Sequence, residues 1–340
     1  MIDKHIEIVR SSKTRFSSMS RDSGDAILLA LRSKYSRVGI TIVDNLSDLN
    51  SLVKLNPDLV FLGMKFINND MAPGVELSRK IWISEYLDRF GITYTGSNKI
   101  AHEQSVDKSL AKKCILNAGV DTSPYLLINK DDLNSAIEIP KDFTFPLFVK
   151  PNNRGGGLGI NNKSVVNNLV ELKAKVYDIS YNFGSDSIIE RYLTGREFSV
   201  GVFNQTDNDS IYTMPLELIT SPDEFGNRIL GSGVKSANEE SALSLDESEL
   251  RIAICSLALS AFTALGGRDF GRIDIRIDDQ GTPQFLEANL IPSLIEGYGS
   301  FPKACYLNEK IGFRSMIFKI VELAFLRDIK SNNFVPNSLA

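Results

Sequence analysis

Two short runs, Arg272-Ile273-Asp274 and Glu287-Ala288-Asn289, flank a turn signal at Asp279-Gln280-Gly281-Thr282. Apolar and polar residues alternate on both sides. That pattern predicts a β-hairpin with one buried and one polar face. A symmetric loop of two or four residues sets Asp274 opposite Glu287 and Arg272 opposite Asn289, all on the polar face. The buried face then carries Ile273, Ile275, Ile277, Leu286 and Ala288.

Two carboxylates directly across a sheet repel each other. A divalent cation converts that repulsion into a site. Asp, Glu and Asn offer only hard oxygen ligands, which suit Mg²⁺, or Mn²⁺ in its place, held together with nucleotide phosphates. A solvated polar face on an amphipathic hairpin fits the same residues, and a three-residue loop would shift the register and undo the pairing.

A chain of 340 residues can bury a large core in two or three domains. Its net charge of −4 gives no electrostatic footprint for nucleic acid. The start, residues 1–10, is charged and lacks a signal-peptide core, and the nearly apolar run 252–262 is too short to span a bilayer. Cys114, Cys255 and Cys305 lack metal-ligand spacing, so a reduced cytoplasm is the simplest setting. With only His5 and His102 as histidines and no Gly-x-Ser-x-Gly elbow, zinc chemistry and Ser-His-Asp hydrolysis are disfavoured. The chemistry must run on carboxylates, Lys, Arg and backbone dipoles.

Strand and helix alternate over the first hundred or so residues, which predicts a parallel sheet with helices on its faces. Strands are expected at 6–10, 38–44 and 59–64, and helices at 23–35, 47–55 and 78–90. A helix at 107–118 follows, then strands at 125–129 and 145–151. A glycine loop leads to a strand near 160, a helix at 168–177, and strands at 186–190 and 197–203. Residues 215–240 read as a long functional loop. Helices at 247–265 and 312–326 bracket the hairpin, and 331–340 reads as a frayed tail.

Lys150 ends an apolar strand and is followed by Asn152, Asn153, Arg154, Gly155, Gly156, Gly157 and Gly159. Such glycines let backbone N–H groups approach phosphate oxygens, and the lysine at the loop's mouth can neutralise them. The pattern lacks the Gly-Lys-Ser/Thr of a P-loop and joins strand to strand rather than strand to helix. A flexible hairpin tip is the alternative. Glu190-Arg191-Tyr192-Leu193, with Glu197 close behind, can read an adenine edge and hold ribose hydroxyls. A strand end with a solvated Glu fits it too.

In this order the motifs resemble the ATP-grasp ligases, most closely the D-alanine–D-alanine ligase group. The matching stretches are Tyr94-Thr95-Gly96-Ser97, Asp107-Lys108, residues 145–151, residues 189–198, Gly271-Arg272-Ile273-Asp274 and Leu286-Glu287-Ala288-Asn289. The resemblance implies an α/β (α+β) ATP-grasp fold. An amino-terminal Rossmann-like parallel-sheet domain (1–97) would precede a central subdomain with the glycine loop (98–187), a carboxy-terminal subdomain with the metal site (188–330) and a tail (331–340). It further implies that Lys108, Lys150 and the loop of Gly155, Gly156 and Gly157 meet ATP phosphates. The segment Glu190, Arg191, Tyr192 and Leu193 would hold adenine, and Glu197 the ribose. Asp274, Glu287 and Asn289 would bind Mg²⁺. Arg272 would stabilise the transferring phosphate and the charged intermediate, and Lys235 looks like the γ-phosphate lysine.

The chain departs from that group where amino acids bind. Ser11-Ser12-Lys13-Thr14-Arg15 replaces the glycine pair and substrate glutamate, Gly156 and Gly157 replace a serine pair, and Ser293 follows Pro292 where a glycine is usual. The expected activity is an ATP-dependent carboxylate–amine ligase with a substrate pair other than two D-alanines, an amino acid or short peptide being the default acid. Arg15, Arg21 and Arg79 are candidates to bind its carboxylate. A small-molecule kinase and a non-catalytic nucleotide-binding module are the competing readings. No nucleic-acid or membrane partner is expected. Homodimerisation through the first domain is common in the resembled group.

Overall fold

The computed structural model describes residues 1–13, 19–69, 79–132, 137–141, 143–205, 210–223, 225–231 and 240–333. Strands β1 (Ile2–Arg10), β2 (Tyr35–Ile42) and β3 (Leu59–Leu62) form a parallel sheet in the order β2–β1–β3. Helices α1 (Arg21–Arg32) and α2 (Leu46–Lys54) connect them. Period-two alternation sends Ile6, Ile8, Leu59 and Phe61 into one core with Ile27 and Leu31 of α1. Val9, Val60 and Leu62 enter another with Leu49 and Leu52 of α2. Both faces are covered, as a parallel sheet requires. Helix α1 starts where the Ser20 side chain accepts from the Ser23 N–H, and α2 starts with a reciprocal Asn45–Asp48 capping box.

The helix expected at 78–90 is present only at Ile83–Asp88, and its first described turn is strand instead. Antiparallel β4 (Phe66–Asn69) and β5 (Arg79–Trp82) set Ile67 against Ile81 and Phe66 against Trp82, and helix α3 is confined to Ile83–Asp88. Cross-strand packing of aromatic and β-branched residues outweighs helical propensity here.

Helices α4 (Lys99–Val106) and α5 (Lys108–Asn117) meet at Asp107, whose side chain accepts from the Leu110 N–H and so starts α5. Strands β6 (Tyr125–Ile128), β7 (Leu147–Pro151), β8 (Val165–Val166) and β9 (Ser187–Arg191) form an antiparallel sheet in the order β6–β9–β7–β8. Helix α6 (Leu169–Phe183) covers one face, packing Leu172, Val176 and Ile179 on Leu147, Val149 and Ile189. The strand expected near 160 is the short β8 instead.

Strands β10 (Glu197–Gln205), β11 (Ser210–Ile219), β12 (Ser241–Ser244), β13 (Phe270–Ile277) and β14 (Pro283–Asn289) form the largest sheet, ordered β12–β11–β10–β13–β14. Residues 215–219, expected in a loop, belong to β11. Helix α7 (Glu249–Ala264) backs this sheet through Ile254, Ala258 and Phe262. Helix α8 (Ser300–Glu309) was not anticipated. Helix α9 (Phe313–Asn333) returns Met316, Ile317 and Ile320 to the core beside β1 and α1. The expected tail overlaps α9 through residue 333, and 334–340 lie outside the described residues. Among the described residues no helix is long and apolar enough to cross a membrane.

The β13–β14 hairpin bears out the facing pairs by a different route. Arg272 pairs with Asn289, Ile273 with Ala288 and Asp274 with Glu287, but the ladder then shifts so that Ile275 faces Phe285. The connection runs from Asp278 to Thr282, with Gly281 at φ +85°. A bulge at Leu286 absorbs the odd residue of that loop. It corrects one expectation: Phe285 is fully buried in the core, while Leu286 turns to the polar side and lines the cleft described below.

Candidate active site

A cleft of about 700 Å³, counting its open mouth, lies between the four- and five-stranded sheets. That volume suits a nucleotide-sized ligand. Lys150, Gly157, Glu190, Arg191, Tyr192, Leu193, Glu197, Asp274 and Glu287 line it, drawn from strands far apart in sequence.

Strand alternation explains the grouping. On β7, Leu147 and Val149 face α6, so Phe148 and Lys150 face the cleft. Phe148 pairs with Glu190 and Val149 with Ile189, which places Lys150 and Glu190 diagonally on one face. On β13, Ile273 and Ile275 enter the core, so Arg272, Asp274 and Arg276 face the cleft.

Asp274 is the centre of the polar face. Arg272 grips it with two bonds, Nε to Oδ1 at 2.9 Å and Nη2 to Oδ2 at 2.8 Å, and Ser199 donates to Oδ1 at 2.8 Å. Burial pushes the Arg272 guanidinium down, but the charges of Asp274 and Glu287 outweigh it and hold it above its ordinary value. The Asn289 amide nitrogen lies 3.4 Å from Asp274 Oδ2 and 3.3 Å from Glu287 Oε1. Among the described residues no cluster of three or more His, Cys, Asp or Glu could hold a metal. The donor set here is two carboxylates and one amide. It fits an ion that takes few protein oxygens and completes its shell with phosphate and water, as Mg²⁺ does. A half-turn of the Asn289 amide presents its oxygen to the same point.

A buried ion cluster lies on the other wall. Glu190, 3% exposed, meets Lys112 at Oε1 and Lys150 at Oε2, both at 2.7 Å. Burial pushes this carboxyl up, but Lys112 and Lys150 hold it below the ordinary range. The alternative of a solvated strand-end Glu is overturned. Lys112 comes from α5 and also donates to Thr122 Oγ1 at 2.6 Å. Its Nζ lies 3.5 Å from the Phe285 carbonyl on β14, so one ammonium ties the two sheets together behind the cleft. Lys108 Nζ donates to the Arg154 carbonyl at 2.6 Å and lies 3.8 Å from Glu287. Asn152 fixes its helix end, bonding Ser109 N–H and Asp107 through the two ends of its amide.

At the opposite end, Tyr192 stacks on Phe148 with centroids 6.1 Å apart, and the Arg276 guanidinium lies 5.3 Å from the Tyr192 ring. Arg276 Nη1 donates to Glu197 at 3.2 Å, which fixes the carboxylate at the mouth. Leu193, Leu230 and Leu286 add apolar walls. This end suits a flat heteroaromatic ring with a polar neighbour.

The glycine loop leaves Gly155 and Gly156 exposed and brings Gly157 to the wall. Gly156, Gly157 and Gly159 all have positive φ, at 66°, 76° and 79°, which L-residues rarely adopt. Lys235 and Arg15 lie outside the described residues, as does the side chain of Arg79. Arg21 is solvated and pairs loosely with Asp25 at 3.8 Å. Sequence reasoning missed Lys112, Arg276 and Glu240, and named Asn152 only as part of the glycine loop. Arg276 alone carried a signal, since it alternates in phase with Arg272 and Asp274. Glu240 keeps a buried carboxylate oxygen with no hydrogen-bond partner among the described residues, and its charge acts on Arg272 and Tyr298.

Known proteins converge on the same architecture. The family model described as D-ala D-ala ligase C-terminus matches residues 115–322. The chain is 25% identical over 315 residues to a D-alanine–D-alanine ligase of Hydrogenovibrio crunogenus, covering 90% of each. It is 27% identical over 335 residues to one from a Marinomonas species, covering 94% of this chain and 95% of the relative. Among solved structures, the D-alanine–D-alanine ligase of Bacillus anthracis complexed with ATP superposes with a TM-score of 0.75 at 19% identity, covering 96% of this chain and 99% of that one. The ATP-grasp fold expected from the sequence is borne out.

Proposed function

The chain belongs to the D-ala D-ala ligase family, and we propose accordingly that it joins a carboxylic acid to an amine at the expense of ATP through an acyl phosphate. The observation that carries the assignment of roles is the facing pair Asp274–Glu287, with Arg272 and Asn289 beside it, across the cleft from Lys150. Adenine would lie between Leu286 and the Phe148–Tyr192 wall, with Glu197 at the ribose. Lys150 and Lys108 would meet the phosphates, together with backbone N–H groups of the loop at Gly155, Gly156 and Gly157. Asp274, Glu287 and Asn289 would hold Mg²⁺, which when bound offsets charge on the phosphates.

The acid's carboxylate oxygen attacks the γ-phosphorus and the bond to ADP breaks. The amine then attacks the acyl carbon, and inorganic phosphate leaves. The protein's part is placement and charge complementarity. Arg272, already fixed by Asp274, points its remaining N–H groups at charge on the transferring phosphate and then on the tetrahedral oxygen. Glu240 has one buried carboxylate oxygen with no hydrogen-bond partner among the described residues and its charge acts on Arg272, and we assign it to the ammonium of the incoming amine. Lys235 is the candidate γ-phosphate lysine on sequence grounds alone. The named relatives act on D-alanine, so an amino acid is the acid favoured here. The changes around residues 11–15, at Gly156-Gly157 and at Ser293 support a pair other than two D-alanines. A cytoplasmic setting, where ATP is present, belongs to the same reading.

Hydroxylamine trapping tests the scheme. Substrate-dependent ADP release with hydroxamate formation supports it, and neither, across a broad panel of acids, refutes it. A phosphorylated product that persists without amine would favour a kinase instead.

A further inference from the structure

Arg276 closes the polar row of β13 that starts with Arg272 and Asp274, and the chemistry above gives it no contact of its own with the nucleotide. Strand pairing sets Arg276 directly opposite Glu197, the first residue of β10, as it sets Asp274 opposite Ser199. Period-two alternation turns these side chains to one face, and Arg276, Glu197 and Tyr192 all line the cleft. Arg276 is 7% exposed, so its guanidinium has left most of its water behind.

The guanidinium is held from three sides. Its Nε donates to the Gly195 carbonyl at 3.1 Å, its Nη1 donates to Glu197 Oε2 at 3.2 Å, and it lies 5.3 Å from the centroid of the Tyr192 ring. The segment it touches, between β9 and β10, is itself docked on the end of β13. The Gly195 N–H donates to the Ile277 carbonyl at 3.2 Å, and the Ile277 N–H to the Arg196 carbonyl at 2.9 Å. A Cβ at Gly195 would lie 2.5 Å from the Ile277 carbonyl oxygen, so glycine alone permits that approach. Arg196 is engaged elsewhere, with Nε 2.7 Å from Glu217. The N–H groups of Arg276 Nη2 have no partner among the described residues.

The two facing groups are chemically complementary to a third. The Glu197 carboxylate only accepts hydrogen bonds, and the guanidinium only donates them. A hydroxyl does both, so one that donates to Glu197 and accepts from Arg276 satisfies each. A vicinal diol offers two such groups. A CH₂ in place of either leaves a desolvated charged group without its bond, which a site built around a hydroxyl penalises.

We propose that Arg276 is a specificity-determining residue for the nucleotide: it donates to the ribose diol beside Glu197 and makes the cleft select ribonucleotides over deoxyribonucleotides. The proposal deepens the nucleotide placement of the ligase reading and rests on it.

The test is calorimetric titration of the protein, with Mg²⁺ and without acid or amine, by ADP, 2′-deoxyADP and 3′-deoxyADP. Wild type is expected to bind ADP at least about 10-fold more tightly than at least one of the deoxynucleotides, the scale of one hydrogen bond to a charged group. Arg276→Met should weaken ADP about 10-fold and leave that deoxynucleotide within about threefold, so the ratio falls towards one. Each ratio comes from one preparation, so a partly unfolded sample does not move it. Arg276→Lys keeps a charge beside Glu197 and serves where the methionine variant does not fold, as checked by thermal melting. It should lose selectivity too, because an ammonium lacks the fixed planar fork. Equal binding of all three nucleotides by wild type overturns the proposal. So does full selectivity in the variants, which would assign it to Glu197 alone. Both outcomes leave the ligase reading intact. That reading fails separately, if ADP binds but no acid gives a hydroxamate with ATP.

Discussion

Replacing Glu190 by Gln leaves two buried ammoniums, Lys112 and Lys150, without the carboxylate they share. Each lies 2.7 Å from its own carboxylate oxygen. At an effective dielectric of about 20 that separation gives about 6 kcal/mol of gross attraction per pair. Desolvation opposes most of it, and deleting one partner of a buried pair costs about 3–5 kcal/mol net, because the other charge stays buried. Lys112→Met is a different case. Glu190 keeps Lys150, so the cluster becomes neutral, and the loss is mainly the charged bonds to Glu190 and Thr122, about 1–2 kcal/mol after the relief of one buried ammonium. The double variant Glu190→Gln/Lys112→Met should be more stable than Glu190→Gln alone by at least about 1 kcal/mol, because it removes one of the two stranded charges. Urea unfolding followed by far-ultraviolet circular dichroism measures all three. The pH dependence has a fixed sign. The folded carboxyl lies below its unfolded value of about 4.3, so its stabilisation is complete above that pH and is lost as pH falls through the folded value. The gap between wild type and Glu190→Gln should therefore shrink in acid. If Lys112→Met costs as much as Glu190→Gln, or the double variant is simply additive, the shared-carboxylate account is wrong.

The other predictions concern the active face and the register. Arg272→Met should lower kcat for hydroxamate formation about 10²- to 10³-fold with little change in KM for ATP, as expected for a charge that matters most in the transition state; an equal rise in the KM for ATP would contradict that role. Phe285→Ala should cost about 3–5 kcal/mol of stability, whereas Leu286→Ala should cost under about 1.5 kcal/mol and raise the KM for ATP. An unbroken hairpin register would reverse that order. Glu240→Gln should raise the KM of the amine and leave acid-dependent ADP release in place. Burial brings the Lys65 ammonium down to about 8, against the opposing charge of Glu287. Between that value and the unfolded value of about 10.4 the unfolded chain binds more protons, so stability should rise with pH across that window. Urea unfolding that shows no such rise would contradict the enclosure of that ammonium.

What the sequence made legible follows from local rules. The alternation around Asp274 and Glu287 and the loop after Lys150 are periodic or compositional signals, and they marked both walls of the cleft. The bulge was hidden, because Phe285 and Leu286 are both apolar and only the five-residue connection decides which enters the core. The strand at Arg79–Trp82 reads equally well as part of a helix until Ile67 and Phe66 are found opposite it. Lys112 is a single lysine with no period around it, on an amphipathic helix where a lysine ordinarily points to solvent. Its significance comes from what strands elsewhere in the chain place next to it, which no window of sequence contains.

The central claim is that the acid's own carboxylate oxygen attacks the γ-phosphate. It is tested most directly with the acid that gives the fastest hydroxamate formation, labelled with ¹⁸O in its carboxylate and turned over with ATP and an amine. The account predicts one labelled oxygen in the inorganic phosphate, seen as an isotope shift in the phosphorus resonance, with unlabelled ADP. Label in AMP, or phosphate released without label, would contradict it.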